Sequence, residues 1–347
     1  MNTNPCIDTL VPTSLGMTCR AASPMQLSLG PFQGITDAPF RNVFKRHFGG
    51  IDKFYTPFFT GIHKEDHAKN LQTEEIDPRY NDVATLTPQI LSTDADEILR
   101  FAKQCKALGY NEINLNMGCP FPRVANKKRG SGLLPYPDKV EALLEAVFAQ
   151  IGDVKFSVKC RLGYFSAEEI EPIIKIFNGF PLSELIIHPR IGKQLYKGEA
   201  NVERFKALAP CINAPLVYNG DIVSVESFER IRGQVQPVNQ FMLGRGLLAN
   251  PFLAEEIKNA GEGDDGKASL QEKTERLHSY VLDLYEDRLR HAGGSPKVLG
   301  RMKELWSYMM NDFENPQDVW RRIKKINDLK TYEDQVEYIF QNNQITL

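Results

Sequence analysis

Ile113-Asn114-Leu115-Asn116-Met117-Gly118-Cys119-Pro120 reads as a short buried strand that ends in a tight turn carrying a cysteine. Behind the turn come Pro122 and a basic run, Lys127, Lys128 and Arg129. A thiol at the mouth of a strand beside clustered cations suits chemistry on an anionic substrate. Seven further stretches share the strand pattern: 26–29, 51–55, 85–90, 155–159, 184–188, 215–218 and 240–243; the quoted one spans 112–116. Amphipathic segments lie between most of them. In 95–108, Ile98, Leu99, Ala102 and Cys105 recur at helical spacing; in 139–151, Val140, Leu143, Leu144 and Val147 do. Residues 221–231 and 250–257 follow the last two strands.

Strands alternating with helices in this way predict an α/β fold, a closed (β/α)8 TIM barrel over residues 26–260. The alternative is an open doubly wound sheet, which the lack of a G-x-G-x-x-G after the first strand disfavours. Polar residues and glycines gather where the strands end: Gly30-Pro31, Gln89, Asn116 to Cys119, Lys159 with Arg161, His188 with Arg190, Asn219-Gly220-Asp221 and Gly244-Arg245-Gly246. In a barrel these ends meet on one face, where active sites are built.

Residues 1–25 read as an irregular extension with Pro5, Pro12 and Pro24, which a start at Met17 or Met25 would shorten or remove. A polar, glycine-rich linker is expected over 261–268. Helical patterns without strands then run through 270–289, 297–310, 316–326 and 331–342, predicting a small all-helical domain over 269–347.

A net charge of -2 gives no global attraction to nucleic acid, so an anionic partner must be held locally. The six cysteines form no C-x-x-C pair and no histidine pair stands near them, which predicts no metal site, no disulfide scaffold and a reducing cytoplasm. No apolar run approaches the roughly 20 residues of a membrane span, so no membrane partner is expected. The chain is expected to act as a monomer.

Several residue patterns bear on chemistry. The glycine turns at 219–221 and 244–246 sit side by side and suit a phosphate, with Arg245 adding charge; otherwise they only make tight turns. Lys159 ends an apolar strand, where a cation calls for an anion or a structural ion pair. Gln89 suits hydrogen bonds to a planar heterocycle. His188 closes the apolar run Leu185-Ile186-Ile187 before Pro189, either as a ligand contact or as a structural histidine. Cys119 is open to three roles: small buried hydrophobe, nucleophile or general acid. Lys297, Arg301, Lys303 and Tyr308 lie on or beside one C-terminal helix, and Arg321, Arg322, Lys324, Lys325 and Lys330 form a second basic cluster among acidic residues. Both read as RNA contacts or as solvated faces.

The sequence resembles the dihydrouridine synthases. The likeness is carried by Gly30-Pro31-Phe32-Gln33-Gly34-Ile35-Thr36-Asp37-Ala38-Pro39-Phe40-Arg41, Asn116-Met117-Gly118-Cys119-Pro120, Ser157 to Gly163, His188-Pro189-Arg190, Asn219-Gly220-Asp221 and Gly244-Arg245-Gly246. Gly300 to Tyr308 is similar to a helix of the bacterial DusC-like subgroup. The resemblance implies a tRNA-dihydrouridine synthase with FMN as cofactor and NADPH as reductant, NADH being the alternative. It implies tRNA as partner, a D-loop uridine as target and a lean toward position 16. Hydride would pass from reduced FMN to C6, and Cys119 would protonate C5. Pro31, Phe32, Gln33, Gln89, Lys159, His188, Asn219, Gly220, Asp221, Gly244 and Arg245 would hold FMN. Asn116 would meet the uracil, Arg161 the nucleotide, and Arg301, Lys303 and Tyr308 the tRNA. Two features depart from the family pattern: Gly30-Pro31-Phe32 stands where Ala-Pro-Met is usual, and Asn114 where Asp is common. An FMN barrel acting on a free small molecule, dihydroorotate-like, is the rival reading; such enzymes lack a helical tail. A non-enzymatic RNA-binding protein is the third.

Overall fold

The computed structural model describes residues 24–62, 73–262 and 268–347. The predicted extension up to residue 23 and most of the predicted linker, 263–267, lie outside the described residues.

Nine short parallel strands make one sheet: β1 (Gln26–Leu29), β2 (Lys53–Tyr55), β3 (Leu86–Thr87), β4 (Gln89–Ile90), β5 (Glu112–Met117), β6 (Lys155–Gly163), β7 (Glu184–Ile191), β8 (Leu216–Asn219) and β9 (Gln240–Leu243). Their order is β3-β2-β1-β9-β8-β7-β6-β5-β4. β3 pairs with β2 while β4 pairs with β5, so the ring closes through one covalent stretch. Pro88 is the joint, and it explains why the single strand expected over 85–90 is two pieces. Proline offers no N–H to a ladder. Its carbonyl instead accepts from Asn114 N–H at 2.9 Å, and the Thr56 hydroxyl accepts Gln89 N–H at 2.9 Å. The barrel is therefore eight-stranded in chain path, as the alternation predicts.

β6 and β7 run longer than expected, to Gly163 and Ile191, with a register shift between Arg161 and Gly163. Arg161 and Arg190 are thus strand residues, carried up to the C-terminal face of the barrel. The barrel interior is filled by Tyr55, Ile186, Val217 and Met242, all almost fully buried. At the opposite, N-terminal end, Lys53 bridges Glu112 at 3.1 Å and Glu184 at 3.3 Å, and the Tyr55 hydroxyl also donates to Glu184. No described helix is long and apolar enough to cross a membrane.

The tail is helical over Leu270–His291, Val298–Met309, Pro316–Ile323 and Leu329–Asn342. Ser269 and Glu272 start the first of these with a reciprocal capping box. The boundary expected at 260 falls inside the helix Leu253–Glu262, which outlasts the barrel's last turn. The long helix lies on the first barrel helix, Ala38–His47. Tyr280 packs edge-on against Phe40 and Phe48, at 6.3 and 5.0 Å between ring centres. Arg288, 1% exposed, reaches Asp37 at 3.2 Å, and one hydrophobic core takes in residues of both parts of the chain.

Asp37 also caps the first barrel helix through the Phe40 N–H and pairs with Arg301. Removing one partner of a buried pair leaves an uncompensated charge, which costs about 3–5 kcal/mol. Asp37→Ala should therefore lower unfolding stability by about that much in urea melts. Surface substitution of Arg290, whose side chain is 69% exposed, should change it by less than about 0.5 kcal/mol.

Candidate active site

The C-terminal ends of the strands surround two cavities that share Pro31, Phe32, Lys159, His188 and Tyr196. The first lies over β8 and β9 and is lined by Asn219, Gly220, Asp221, Gly244 and Arg245. The second, with a volume of about 230 Å³, holds Cys119, Asn116, Gln33, Arg123, Arg161, Glu304 and Tyr308.

Backbone hydrogen bonds set the cysteine turn. The Asn116 side-chain oxygen accepts from Gly118 N–H at 3.1 Å and Cys119 N–H at 2.9 Å. Asn116 in turn donates to Gln89 at 2.8 Å; Gln89 donates to Asn114 at 2.8 Å; Asn114 donates to Ser157 at 2.9 Å. This buried ladder runs across β4, β5 and β6. On the far side, the Cys119 carbonyl accepts from the Ser131 N–H and hydroxyl, both at 3.1 Å. Gly130, at φ +57°, passes so close that a Cβ there would sit 2.6 Å from that carbonyl. The turn is therefore clamped from both sides.

Burial raises the Cys119 thiol pKa, against the opposing pull of the Phe121 N–H and of Arg123, Arg161 and Lys159. The group stays protonated at neutral pH, which suits a proton donor better than a nucleophile. Lys159 has no ion pair among the described residues, so the structural-pair reading does not hold there. Desolvation, helped by neighbouring Arg161, lowers its pKa to about 8. Burial and then the charges of Arg161, Lys159, Arg190 and Arg245 hold His188 well below its usual pKa, so it is neutral. Its Nε2 accepts from Arg190 at 3.0 Å, which puts the ring proton on Nδ1.

Arg190 is 2% exposed. It bridges to Asp221 at 2.7 Å, and Asp221 also pairs with Arg245 at 3.2 Å. The Asp221 carboxylate thus aims two guanidinium groups rather than facing a ligand itself. Arg190 Nε has no partner, a buried donor left over for an acceptor. Arg161 donates to the Ile191 and Leu195 carbonyls, and burial lowers its pKa to about 10.

The structure gathers most predicted residues at this mouth and sets three apart. Gln89 is fully buried beneath the cavity and spends both amide ends on Asn114 and Asn116. Arg301 lines a neighbouring groove with Arg288 and Lys297. Lys303 turns toward Asn327, at 3.4 Å. Residues 301 and 303 are two apart on one helix, so they point in different directions; Glu304 and Tyr308 fall on the side that reaches the cavity. Tyr308 meets Phe32 edge-on at 6.3 Å, the position where Met is usual.

Sequence reasoning missed Tyr196 and Glu304. Tyr196 lies under two guanidinium groups, Arg245 at 4.7 Å and Arg161 at 5.3 Å from its ring centre. Leu195 before it holds φ +53°, an unusual strain for leucine that aims the ring across the mouth. Among the described residues Glu304 is the single carboxylate lining the cysteine cavity. Neither carried a sequence signal beyond its neighbours.

A barrel whose C-terminal face brings Lys159 and Arg161, without an ion pair among the described residues, to the same cavity as a protonated thiol defines a class: a (β/α)8 protein whose mouth suits an anionic ligand beside a proton donor. The sequence model of the family described as Dihydrouridine synthase (Dus) matches residues 28–344, and the chain belongs to that family. It is 26% identical over 310 residues to the tRNA-dihydrouridine(16) synthase of Neisseria meningitidis serogroup B, covering 87% of this chain and 91% of that one. It is 29% identical to the probable tRNA-dihydrouridine synthase 1 of Synechocystis, covering 88% and 83%. Its fold is like that of histamine dehydrogenase from Rhizobium sp. 4-9, with TM-score 0.50, 13% identity, 76% of this chain and 49% of that chain. The chain spans about half the length of that dehydrogenase.

Asn116→Ala should free the Gly118 and Cys119 N–H groups and loosen the turn. Alkylation of Cys119 in the folded protein should then be about tenfold faster than in the parent, since the thiol leaves its buried setting; an unchanged rate would mean the turn holds without that side chain.

Proposed function

We propose that this chain is a tRNA-dihydrouridine synthase that reduces the C5=C6 bond of a D-loop uridine, with position 16 the favoured target. The observation that carries this reading is the shared wall between the two cavities: the one over β8 and β9 and the one holding Cys119 have Pro31, Phe32, Lys159, His188 and Tyr196 in common. Family membership and the names of the relatives support the substrate class, and the tRNA-dihydrouridine(16) synthases among them support the position.

The residues fit FMN. Lys159 lacks a counterion, Arg190 Nε lacks an acceptor, and a Cβ on Gly244 would meet only the Phe32 ring, at 3.5 Å, so the backbone there is open to a ligand. Arg245, with Asn219 and Gly220, would hold its phosphate; Pro31, Phe32, Gln33, Lys159 and His188 would hold the ring system. Bound FMN, reduced by NADPH, supplies the hydride that goes to C6 of uracil.

The protein's own part is positioning and a proton. A stacked base must be flipped out to reach the barrel, at a cost of a few kcal/mol. Arg161, Tyr196 and Tyr308 wall the space that receives it. The Asn116 amide, fixed by Gln89, lines the same space and offers its remaining N–H to a uracil carbonyl. Cys119 Sγ keeps its proton at neutral pH and delivers it to C5. Neutral His188, with Nε2 already bonded to Arg190, offers only an Nδ1 proton to a ligand acceptor. Arg301 and Lys303, outside the cavity, would contact the body of the tRNA.

The test uses the purified chain with FMN, NADPH and unmodified tRNA, and maps dihydrouridine by mass spectrometry. Expected is one dihydrouridine in the D-loop, at position 16. Cys119→Ala should keep its flavin absorbance and lose activity about 100-fold or more, the usual scale for a general acid. A chain that reduces a free pyrimidine but leaves tRNA untouched would reverse the assignment in favour of the small-molecule reading.

A further inference from the structure

The basic run behind the cysteine turn has no part in the chemistry above. Lys127 and Lys128 meet Lys139, from the helix Pro137–Phe148, around a groove whose other walls include Ala95, Leu133 and Leu143. All three lysines are exposed, and none has an ion pair among the described residues. Lys128 and Lys139 both lie over the Tyr136 ring, with ammonium nitrogens 4.5 and 5.5 Å from its centre. Lys128 holds φ +54°, an uncommon backbone for lysine. Like charges drawn to one ring repel, and among the described residues no carboxylate pairs with them. Asp94, between Thr93 and Ala95 of the groove wall, caps its own helix through the Asp96 and Glu97 N–H groups. Asp138 and Asp96 are exposed and make no ion pair with these lysines.

The loop bearing Lys127 and Lys128 begins at Cys119 and is pinned back to it. Ser131 bonds the Cys119 carbonyl twice, and Gly130 packs against that carbonyl. Arg123, midway along the loop, lines the cysteine cavity itself. Cations therefore continue from the thiol to the groove on one clamped segment.

We propose that this lysine groove is a second docking surface, holding the phosphate backbone of the substrate tRNA on the barrel side of the cysteine. It rests on the tRNA reading given above. Ammonium groups act as point charges toward phosphates and carry no base preference, so the groove supplies affinity and register. Because its loop is clamped to Cys119, a strand held there is placed relative to the thiol.

The test measures tRNA affinity against salt for the FMN-loaded full chain. Each phosphate contact contributes roughly 0.7–0.9 to the slope of log K on log salt. The triple variant Lys127→Gln, Lys128→Gln, Lys139→Gln should reduce that slope by about 2, whereas Lys→Arg at all three positions should keep it. Flavin content and melting temperature of both variants check that they are folded. A slope equal to the parent's in the Gln variant overturns the groove while leaving the tRNA reading intact, as does a variant whose only change is a higher KM for NADPH. A parent chain that binds no tRNA overturns both.

Discussion

A lysine without a counterion governs this barrel. Two lysines on barrel strands are treated in opposite ways. Lys53, at the start of its strand, is neutralised by Glu112 and Glu184, and the network closes the floor. Lys159, midway along β6 and lining the mouth, meets no carboxylate among the described residues, and its neighbours Arg161, Arg190 and Arg245 add to the positive field. The cost of gathering cations in a partly desolvated mouth is tolerable if a ligand brings the missing charge. Stability chemistry on one face and ligand chemistry on the other is the usual division of labour in such barrels.

The thiol is governed by the same economy of polar groups. Its turn is fixed by a chain of amides from Ser157 through Asn114, Gln89 and Asn116, each satisfied by the next. A fully satisfied buried network is rigid, whereas a broken one is expensive. Asn114 fits this arrangement because its amide both accepts from Gln89 and donates to Ser157. A carboxylate could keep the second contact only by accepting from the Ser157 hydroxyl. The helical tail is bound in by the Asp37–Arg288 pair, so the helix carrying Tyr308 is held against Phe32 at the barrel mouth.

Strand ends were legible in the sequence because a parallel strand buried on both faces is an unbroken apolar run, and the polar residues that stop it stand out. That pattern located Cys119 and both glycine turns, whereas Lys159 and His188, expected as strand ends, lie inside strands that run on to Gly163 and Ile191. Side-chain direction was less legible. Gln89 ends its strand as expected, but it turns inward to Asn114 and Asn116, which alternation along so short a strand does not reveal. Lys303 sits two residues from Arg301, and helical geometry, rather than proximity, decides which of them faces the barrel. Tyr196 depends on a strained Leu195, and Asp37–Arg288 joins residues 251 positions apart; neither leaves a local trace.

Hydrogen bonding of the flavin ring by the Lys159 ammonium is the claim on which the rest leans, and its protonation gives the most direct measurement. The ammonium is present below about pH 8 and is lost above it, while Arg161 stays charged to about 10 and His188 is neutral throughout. Calorimetric titration of the apo chain with FMN from pH 6.5 to 9.5 should show a flat association constant up to about pH 8, then a decline approaching tenfold per pH unit. Lys159→Met should bind more weakly with no such break. Equal affinity in the two proteins, with the same pH profile, would contradict the account.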